Sequence, residues 1–413
     1  MRSAGHPETD NCWLRIDAEG GLLLLCIQSQ FDADAARACA AIIAERRFDS
    51  RRLFSLAIEH RVAPHVYRTF TRLGLGRFLD SHSFRALELI DTANARRNMR
   101  VLACATEILA ALKNADGKAV LVKGPALEAY VYGGLGSRIF KDIDFLTPRK
   151  DAGLIDTVLR GLGFDQGRLD EATGTVIPAS REEIVHQMLN THEAFEYVKA
   201  GETLEHALFV DVNFEALWKG AGTYASQHAI DTDVFLDNSF EFVSPAGTIT
   251  VLKPEFQAIH LAAHLLSEAI FFQFSGRWAR DLNDMSLLRF ADIYVLTKRI
   301  GLDWRLLASL SNEHHASAAV GYAVHYVESL FPGTVPPDFR EWLGPDGARW
   351  IERYVDHAGV EHRWRLPFEE RIFAHLARAA EVAGNAEVAG NAEVAGSPEV
   401  AGSPAEGRTG ERA

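Results

Sequence analysis

Cysteine is scarce in this chain, four in 413 residues, at Cys12, Cys26, Cys39 and Cys104, with no CxxC pair among them. That spacing argues against a zinc ribbon and a disulfide framework and leaves buried structural thiols as the reading for all four. Long apolar runs are missing too. The stretch from Met1 to Trp13 is polar and holds no apolar segment of the kind a secretory signal needs, and the longest early apolar run, Leu22 to Ile27, is too short to span a bilayer. Excess positive charge is also absent: 43 Lys and Arg against 56 Asp and Glu give a net charge of -13, with a pI near 5.7. Bulk electrostatics therefore do not attract nucleic acid, and any polyanion must be met locally. The expectation is a cytoplasmic protein with no membrane and no duplex nucleic acid among its partners.

What is present is an ordinary globular balance, 47% hydrophobic and 24% charged. The length suggests two or three domains. Residues 31 to 74 show helical apolar spacing, with Pro64 placed to start a helix. From Ser83 to Leu112 a pattern through Leu87, Leu89, Ile90, Met99, Leu102, Ile108 and Leu109 predicts one or two amphipathic helices. The short apolar run at 119 to 122 reads as a buried strand, and Pro125 opens a helix that Gly133, Gly134 and Gly136 interrupt. Residues 150 to 162 read as a further helix closed by Gly163, and Pro254 opens a strongly helical half. Residues 165 to 205 are polar and give no clear pattern. A short β pair is expected near 233 to 251, and helix and loop over 334 to 376.

The chemistry is concentrated around Arg-Ile-Phe-Lys-Asp-Ile-Asp-Phe-Leu-Thr at 138 to 147. If this run is a strand, Asp142 and Asp144 leave one face together while Ile143 and Phe145 enter a core. Further on, Ala-Leu-Phe-Val-Asp-Val-Asn from Ala207 alternates, with Leu208, Val210 and Val212 on one side and Phe209, Asp211 and Asn213 on the other. Adjacent carboxylates repel, and a divalent cation between them is the usual remedy. Asp142, Asp144 and Asp211 are what a two-metal phosphoryl or nucleotidyl transfer site requires, with two Mg²⁺ ions about 3.5 to 4 Å apart. Gly124 allows close backbone approach at a helix start, where a phosphate is favoured. Lys123 and Arg138 offer it positive charge.

These residues resemble a known family. Lys123-Gly124 before a helix, Arg138-x-x-x-Asp142-x-Asp144-Phe-Leu, and Val210-Asp211 on a later strand are similar to the uncharacterised nucleotidyltransferase family of the DNA polymerase β-like superfamily. The likeness extends to Ala57, His60, Arg61, Val62 and Pro64, and to the stretch from Pro254-Glu255 through His260 and His264 to Ala291-Asp292-Ile293 and Gly301-Leu302-Asp303-Trp304. It covers most of residues 31 to 335. The resemblance implies that Asp142 and Asp144 are metal ligands, Asp211 the third acidic residue and Gly124 the nucleotide-loop glycine. It further implies an NTP donor and an unknown acceptor, which a small molecule, sugar, peptide or protein would satisfy. Two departures stand out: Gly124-Pro125 replaces the usual Gly-Ser or Gly-Gly, and Asn213 stands where the family often has His.

The expected fold is α+β, a small mixed sheet with a helical N-terminal segment and a helical C-terminal domain. The expected divisions are a helical lead-in at 1–82, an α/β nucleotidyltransferase-like core at 83–252, a helical domain at 253–376 and a disordered repeat tail at 377–413. The tail repeats Glu-Val-Ala-Gly with small residues and has no bulky apolar positions to bury. A Mg²⁺-dependent nucleotidyltransferase that releases pyrophosphate is the favoured reading. The alternative is a catalytically weakened relative that binds nucleotide or protein, and a zinc hydrolase on His260 and His264 ranks third because Leu261 stands where a zincin needs Glu. The two histidines read as helix-packing or substrate-side groups, and Asp292 as a residue that fixes a helix contact. Phe271, Phe272, Phe274 and Trp278 at helical spacing read as core.

Overall fold

The apolar run at 119 to 122 is strand β1 (Val120–Val122), buried on both sides. Leu121 packs into one cluster of side chains, Val120 and Val122 into another, which is why the run is continuously apolar rather than alternating. The computed structural model describes residues 16–45, 48–216, 231–271, 286–355, 360–364 and 367–373. Among these, β1 lies antiparallel to β2 (Ile143–Leu146), and β2 lies parallel to β6 (Leu208–Asn213). Strands β3 (Asp165–Asp170), β4 (Thr175–Pro178) and β5 (Tyr197–Lys199) extend the sheet on one side. The hairpin of β7 (Ser239–Ser244) and β8 (Gly247–Leu252) extends it on the other. The order is β4-β3-β5-β6-β2-β1-β8-β7.

The fold is α+β with a mixed sheet, as expected, but the sheet has eight strands rather than a few. The additional strands come from the polar stretch that gave no pattern. In β3 and β4 only Gln166 and Gly167 are buried, so edge strands with little to bury left no apolar alternation to read. Helix α1 (Ala18–Gln28) falls inside the expected helical lead-in but has no helical period of its own. Its run from Leu22 to Ile27 is buried on every side, and short apolar runs do not distinguish a buried helix from a strand.

Helices α2 (Ala33–Ala44), α3 (Ser50–Glu59) and α4 (Ala63–Arg72) follow, the last with Pro64 in its first turn. Helix α5 (Ser81–Asn114) is a single helix of 34 residues started by the Asp80 side chain. Its core stripe is Val101, Leu102, Ala105, Ile108, Leu109 and Leu112, each large residue worth about 2 kcal/mol in burial. Leu89 and Met99, counted in the apolar pattern, instead lie 62% and 40% exposed. Together with α7 (Ala152–Gly161), α5 covers the sheet face made by Leu121, Ile143, Phe145, Val210 and Val212.

The opposite face, with Val120, Val122, Leu146 and Leu252, shares one core with α1 to α4 and with the C-terminal helices. These are α10 (Pro254–Phe271), α11 (Leu287–Arg299), α12 (Trp304–Glu313) and α13 (Ser317–Leu330), after α8 (Arg181–Asn190) and the short α9 (Thr232–Asp237). The described chain ends in α14 (Phe339–Leu343), a hairpin of β9 (Arg353–Val355) and β10 (Glu361–Arg363), and α15 (Phe368–Phe373). Asp144 has the same parity along β2 as Leu146, so its carboxylate leaves on the side of the C-terminal helices.

No helix of the described residues is long and apolar enough to cross a membrane. Cys26, Cys39 and Cys104 are buried and unbridged. Cys12, the side chain of Phe271, residues Phe272, Phe274 and Trp278, and the repeats beyond residue 377 lie outside what is described.

Candidate active site

The junction after β1 is a tight turn of backbone beside the central strands. Lys123 has φ 51°, a left-handed backbone that costs a non-glycine residue on the order of 1 kcal/mol. It leads into α6 (Lys123–Ala126), which continues as a π turn over Leu127–Val131, an irregularity frequent at functional sites. A Cβ on Gly124 would sit 2.7 Å from the Phe140 Cβ and 3.1 Å from Arg138 Nη1. Glycine is therefore required there by packing as well as being suited to a phosphate.

Asp144 on β2 lies directly opposite Asp211 on the parallel strand β6, and Asp142 precedes β2 by one residue. The three aspartates line one cavity of about 260 Å³ together with Lys123, Gly124 and Arg138. All six residues singled out from the sequence thus meet in one place. Burial pushes the Asp144 carboxyl up to about 6, opposed by Lys123 and reinforced by Asp142. Burial, then the charges of Asp142 and Asp144, holds Asp211 well above the usual carboxylate range. Burial alone would lower the Lys123 ammonium, but Asp144, whose Oδ1 accepts from Nζ at 2.8 Å, holds it above its ordinary value.

Among the described residues no three His, Cys, Asp or Glu side chains are already set around a point as metal ligands. Lys123 instead supplies the nearest positive charge to Asp144. The donor chemistry nevertheless fits a hard divalent cation: all-oxygen, anionic, crowded on adjacent strands, and titrating upward through burial first and mutual repulsion second.

Arg138 is held differently from a free phosphate clamp. Its Nε donates to Asp292 Oδ1 and Oδ2 at 2.9 and 3.1 Å, and its Nη2 to Oδ2 at 2.8 Å. Asp292 on α11 is fully buried and also accepts from the Tyr132 hydroxyl at 3.0 Å, so it joins α11 to the strand entry. Arg138 Nη1 remains beside Gly124.

The segment carrying these residues is fixed from below. Glu128 accepts from the Gly136 and Arg138 amides, Asn94 donates to the Gly136 and Arg138 carbonyls, Asn98 donates to the Arg138 carbonyl and Arg97 to that of Phe140. Gly136 has φ 77°, and a Cβ there would lie 2.5 Å from Ala95 Cα. These supports were missed in the sequence. Their one local signal is polar residues at Asn94, Arg97 and Asn98, spaced three and four apart on a helix.

Across the cavity stand Arg61, His264, Glu268, Ser286 and Arg289. Glu268 Oε1 lies 2.7 Å from His264 Nε2 and accepts from Arg289 Nη2 at 2.8 Å. Burial, then Lys123 and Arg289, hold His264 well below the ordinary histidine value. His260, one turn earlier, is 3% exposed and likewise depressed, first by burial. The i, i+4 spacing of His264 and Glu268 was the available signal for this wall, and it was overshadowed by that of His260 and His264.

A family model described as "Uncharacterised nucleotidyltransferase" matches residues 46–332. That span contains every residue of both cavity walls. No curated protein matches the chain.

Proposed function

The chain belongs to the uncharacterised nucleotidyltransferase family, and from that premise we propose that it moves a nucleoside monophosphate from an NTP to a hydroxyl-type acceptor, releasing pyrophosphate with Mg²⁺ as cofactor. The observation that carries this reading is the pairing of Asp144 with Asp211 across adjacent parallel strands, with Asp142 on the same cavity. Asp142, Asp144 and Asp211 would hold the cation. Bound there, Mg²⁺ supplies charge neutralisation for the phosphates and lowers the pKa of the attacking group.

The chain's own residues do the remainder. Gly124 lets phosphate oxygens approach the backbone at the start of α6, and Lys123 brings an ammonium to the same wall. Arg138, fixed by Asp292, holds positive charge beside Gly124 without conformational freedom to lose. Pro125 withdraws one backbone donor that a phosphate loop would otherwise offer. We assign the core chemistry to residues 83–252, the opposing wall to Arg61 and the helices that follow the core, and the activity to the cytoplasm.

A second reading, a weakened relative that binds nucleotide or protein without turnover, is favoured by Pro125 and by Asn213, whose Nδ2 is buried without a hydrogen-bond partner. One experiment separates the two. Purified protein is incubated with Mg²⁺ and each of four α-labelled NTPs, with and without cell extract. Label transfer that Asp142→Asn abolishes supports the transferase. Nucleotide binding with no transfer from any NTP supports the binding module.

A further inference from the structure

The cavity wall facing the aspartates has its own hydrogen-bond logic. Glu268 Oε1 lies 2.7 Å from His264 Nε2 and accepts from Arg289 Nη2 at 2.8 Å. A carboxylate only accepts, so the 2.7 Å contact assigns the proton of the neutral ring to Nε2 and its lone pair to Nδ1. Two further polar atoms of this wall, Glu268 Oε2 and Ser286 Oγ, are buried with no hydrogen-bond partner, and Ser286 is 2% exposed. Unsatisfied buried polar atoms are rare and costly, on the order of 1 to 3 kcal/mol each, and in a cavity wall they point to a ligand.

We propose that this wall is the acceptor subsite and that His264 takes the acceptor's proton. The inference rests on the nucleotidyl-transfer reading above. The acceptor's O–H proton passes to His264 Nδ1 while its oxygen forms a bond to the α-phosphorus. The bond from that phosphorus to the bridging oxygen breaks, and its electron pair leaves on pyrophosphate. His264 then returns the proton to solvent. Glu268 stabilises the imidazolium that forms and, with Arg289, keeps the ring in the required tautomer, so both are positioning residues.

The charged and titratable groups around the ring are consistent with a base that starts neutral. Lys123, Arg289 and His192 disfavour its protonation while Glu193 favours it. On its own helix it has His260 one turn away and Glu268 in contact. Arg61 and the aspartates line the same cavity. A bound triphosphate would add negative charge and raise the ring's proton affinity when it is needed.

The test compares wild type, His264→Ala, the bulkier His264→Gln and Glu268→Gln, all first shown to bind the Mg²⁺ complex of a non-hydrolysable α,β-methylene NTP. Transfer of α-label should fall about 100-fold or more in both His264 variants, with analogue affinity nearly unchanged. Free imidazole should restore turnover in His264→Ala, and Glu268→Gln should displace the acid limb of the pH profile. Near-wild-type turnover in His264→Gln, or a loss that imidazole does not restore, overturns the assignment.

A second readout needs no turnover. In ¹⁵N-histidine-labelled protein at pH 7, the signal missing from His264→Gln should report a neutral ring protonated on Nε2. A ring protonated on Nδ1 overturns the proposal even if transfer is observed. Wild type that binds the analogue but releases no pyrophosphate overturns the transfer reading and the base assignment with it, whatever the tautomer.

Discussion

Replacing Asp292 by Asn should be among the most damaging single changes in the protein. Asp292 is fully buried, and its two carboxylate oxygens accept three contacts from Arg138 at 2.8 to 3.1 Å and a fourth from Tyr132 at 3.0 Å. Arg138 is itself 4% exposed. With the carboxylate neutralised, its guanidinium has no counter-charge and little water. Removing one partner of such a buried pair costs about 3 to 5 kcal/mol, because the remaining charge is left uncompensated. Removing both is different. Arg138→Met with Asp292→Leu should recover most of that loss, since a hydrophobic pair of similar volume is often neutral in stability.

The assay is urea denaturation of the wild type, Asp292→Asn, Arg138→Met, Asp292→Leu and the double, the last three and the wild type read as a thermodynamic cycle. The coupling should be favourable by several kcal/mol, with the double closer to wild type than Asp292→Asn. The double should still lose nucleotide affinity, because Arg138 Nη1 beside Gly124 is gone. Asp292→Asn within 1 kcal/mol of wild type would refute the reasoning, since it would mean that Arg138 finds water or another anion.

Gly136→Ala should destabilise the protein by about 1 to 3 kcal/mol and lower transfer, since φ 77° disfavours a side chain and the new Cβ would meet Ala95 at 2.5 Å. Thermal melting beside the transfer assay checks it. His65 gives a pH signature. Burial, then Arg68 and Arg299, lower its pKa from 6.5 to about 3, so the unfolded chain binds the proton first. Stability is therefore full above pH 6.5 and is lost as pH falls, by about 1.4 kcal/mol between pH 7.5 and 5.5 from this residue. His65→Leu should flatten the stability profile by that amount and, because both ring nitrogens are buried without partners, should not destabilise at pH 7.5. Lys123→Met should tighten Mg²⁺ binding in the absence of nucleotide and weaken binding of the Mg²⁺–NTP analogue complex, both measured by calorimetry, because Lys123 Nζ neutralises Asp144.

Much of the sheet's centre was legible because its residues obey simple alternation. Ile143 and Phe145 enter the core while Asp144 does not line up with them, and Val210 and Val212 flank Asp211 in the same manner. Strands β3 and β4 were not legible because their neighbours bury them too little to demand an apolar pattern, and β5, though buried, is only three residues long. Helix α1 lies in the expected helical lead-in, but its bounds were not legible because it is buried on every side and therefore without a period.

The cavity divides along the same line. The carboxylate wall comes from residues whose spacing along two strands carries the information. The opposite wall needs His264, Glu268, Ser286 and Arg289 to converge from two helices on the cavity that Asp144 lines, a meeting no local spacing encodes. Arg138 illustrates a further limit. Its type and place suggested a phosphate ligand, and only the packing of α11 reveals that Asp292 holds most of its donors.

The most direct test of the central claim is simultaneous measurement of α-label transfer and pyrophosphate release with Mg²⁺, for the wild type and for Asp144→Asn. The account predicts one pyrophosphate per label transferred, dependence on Mg²⁺, and loss of both products in the variant while analogue binding partly survives. Transfer that persists in Asp144→Asn, or that proceeds unchanged in excess chelator, would contradict it.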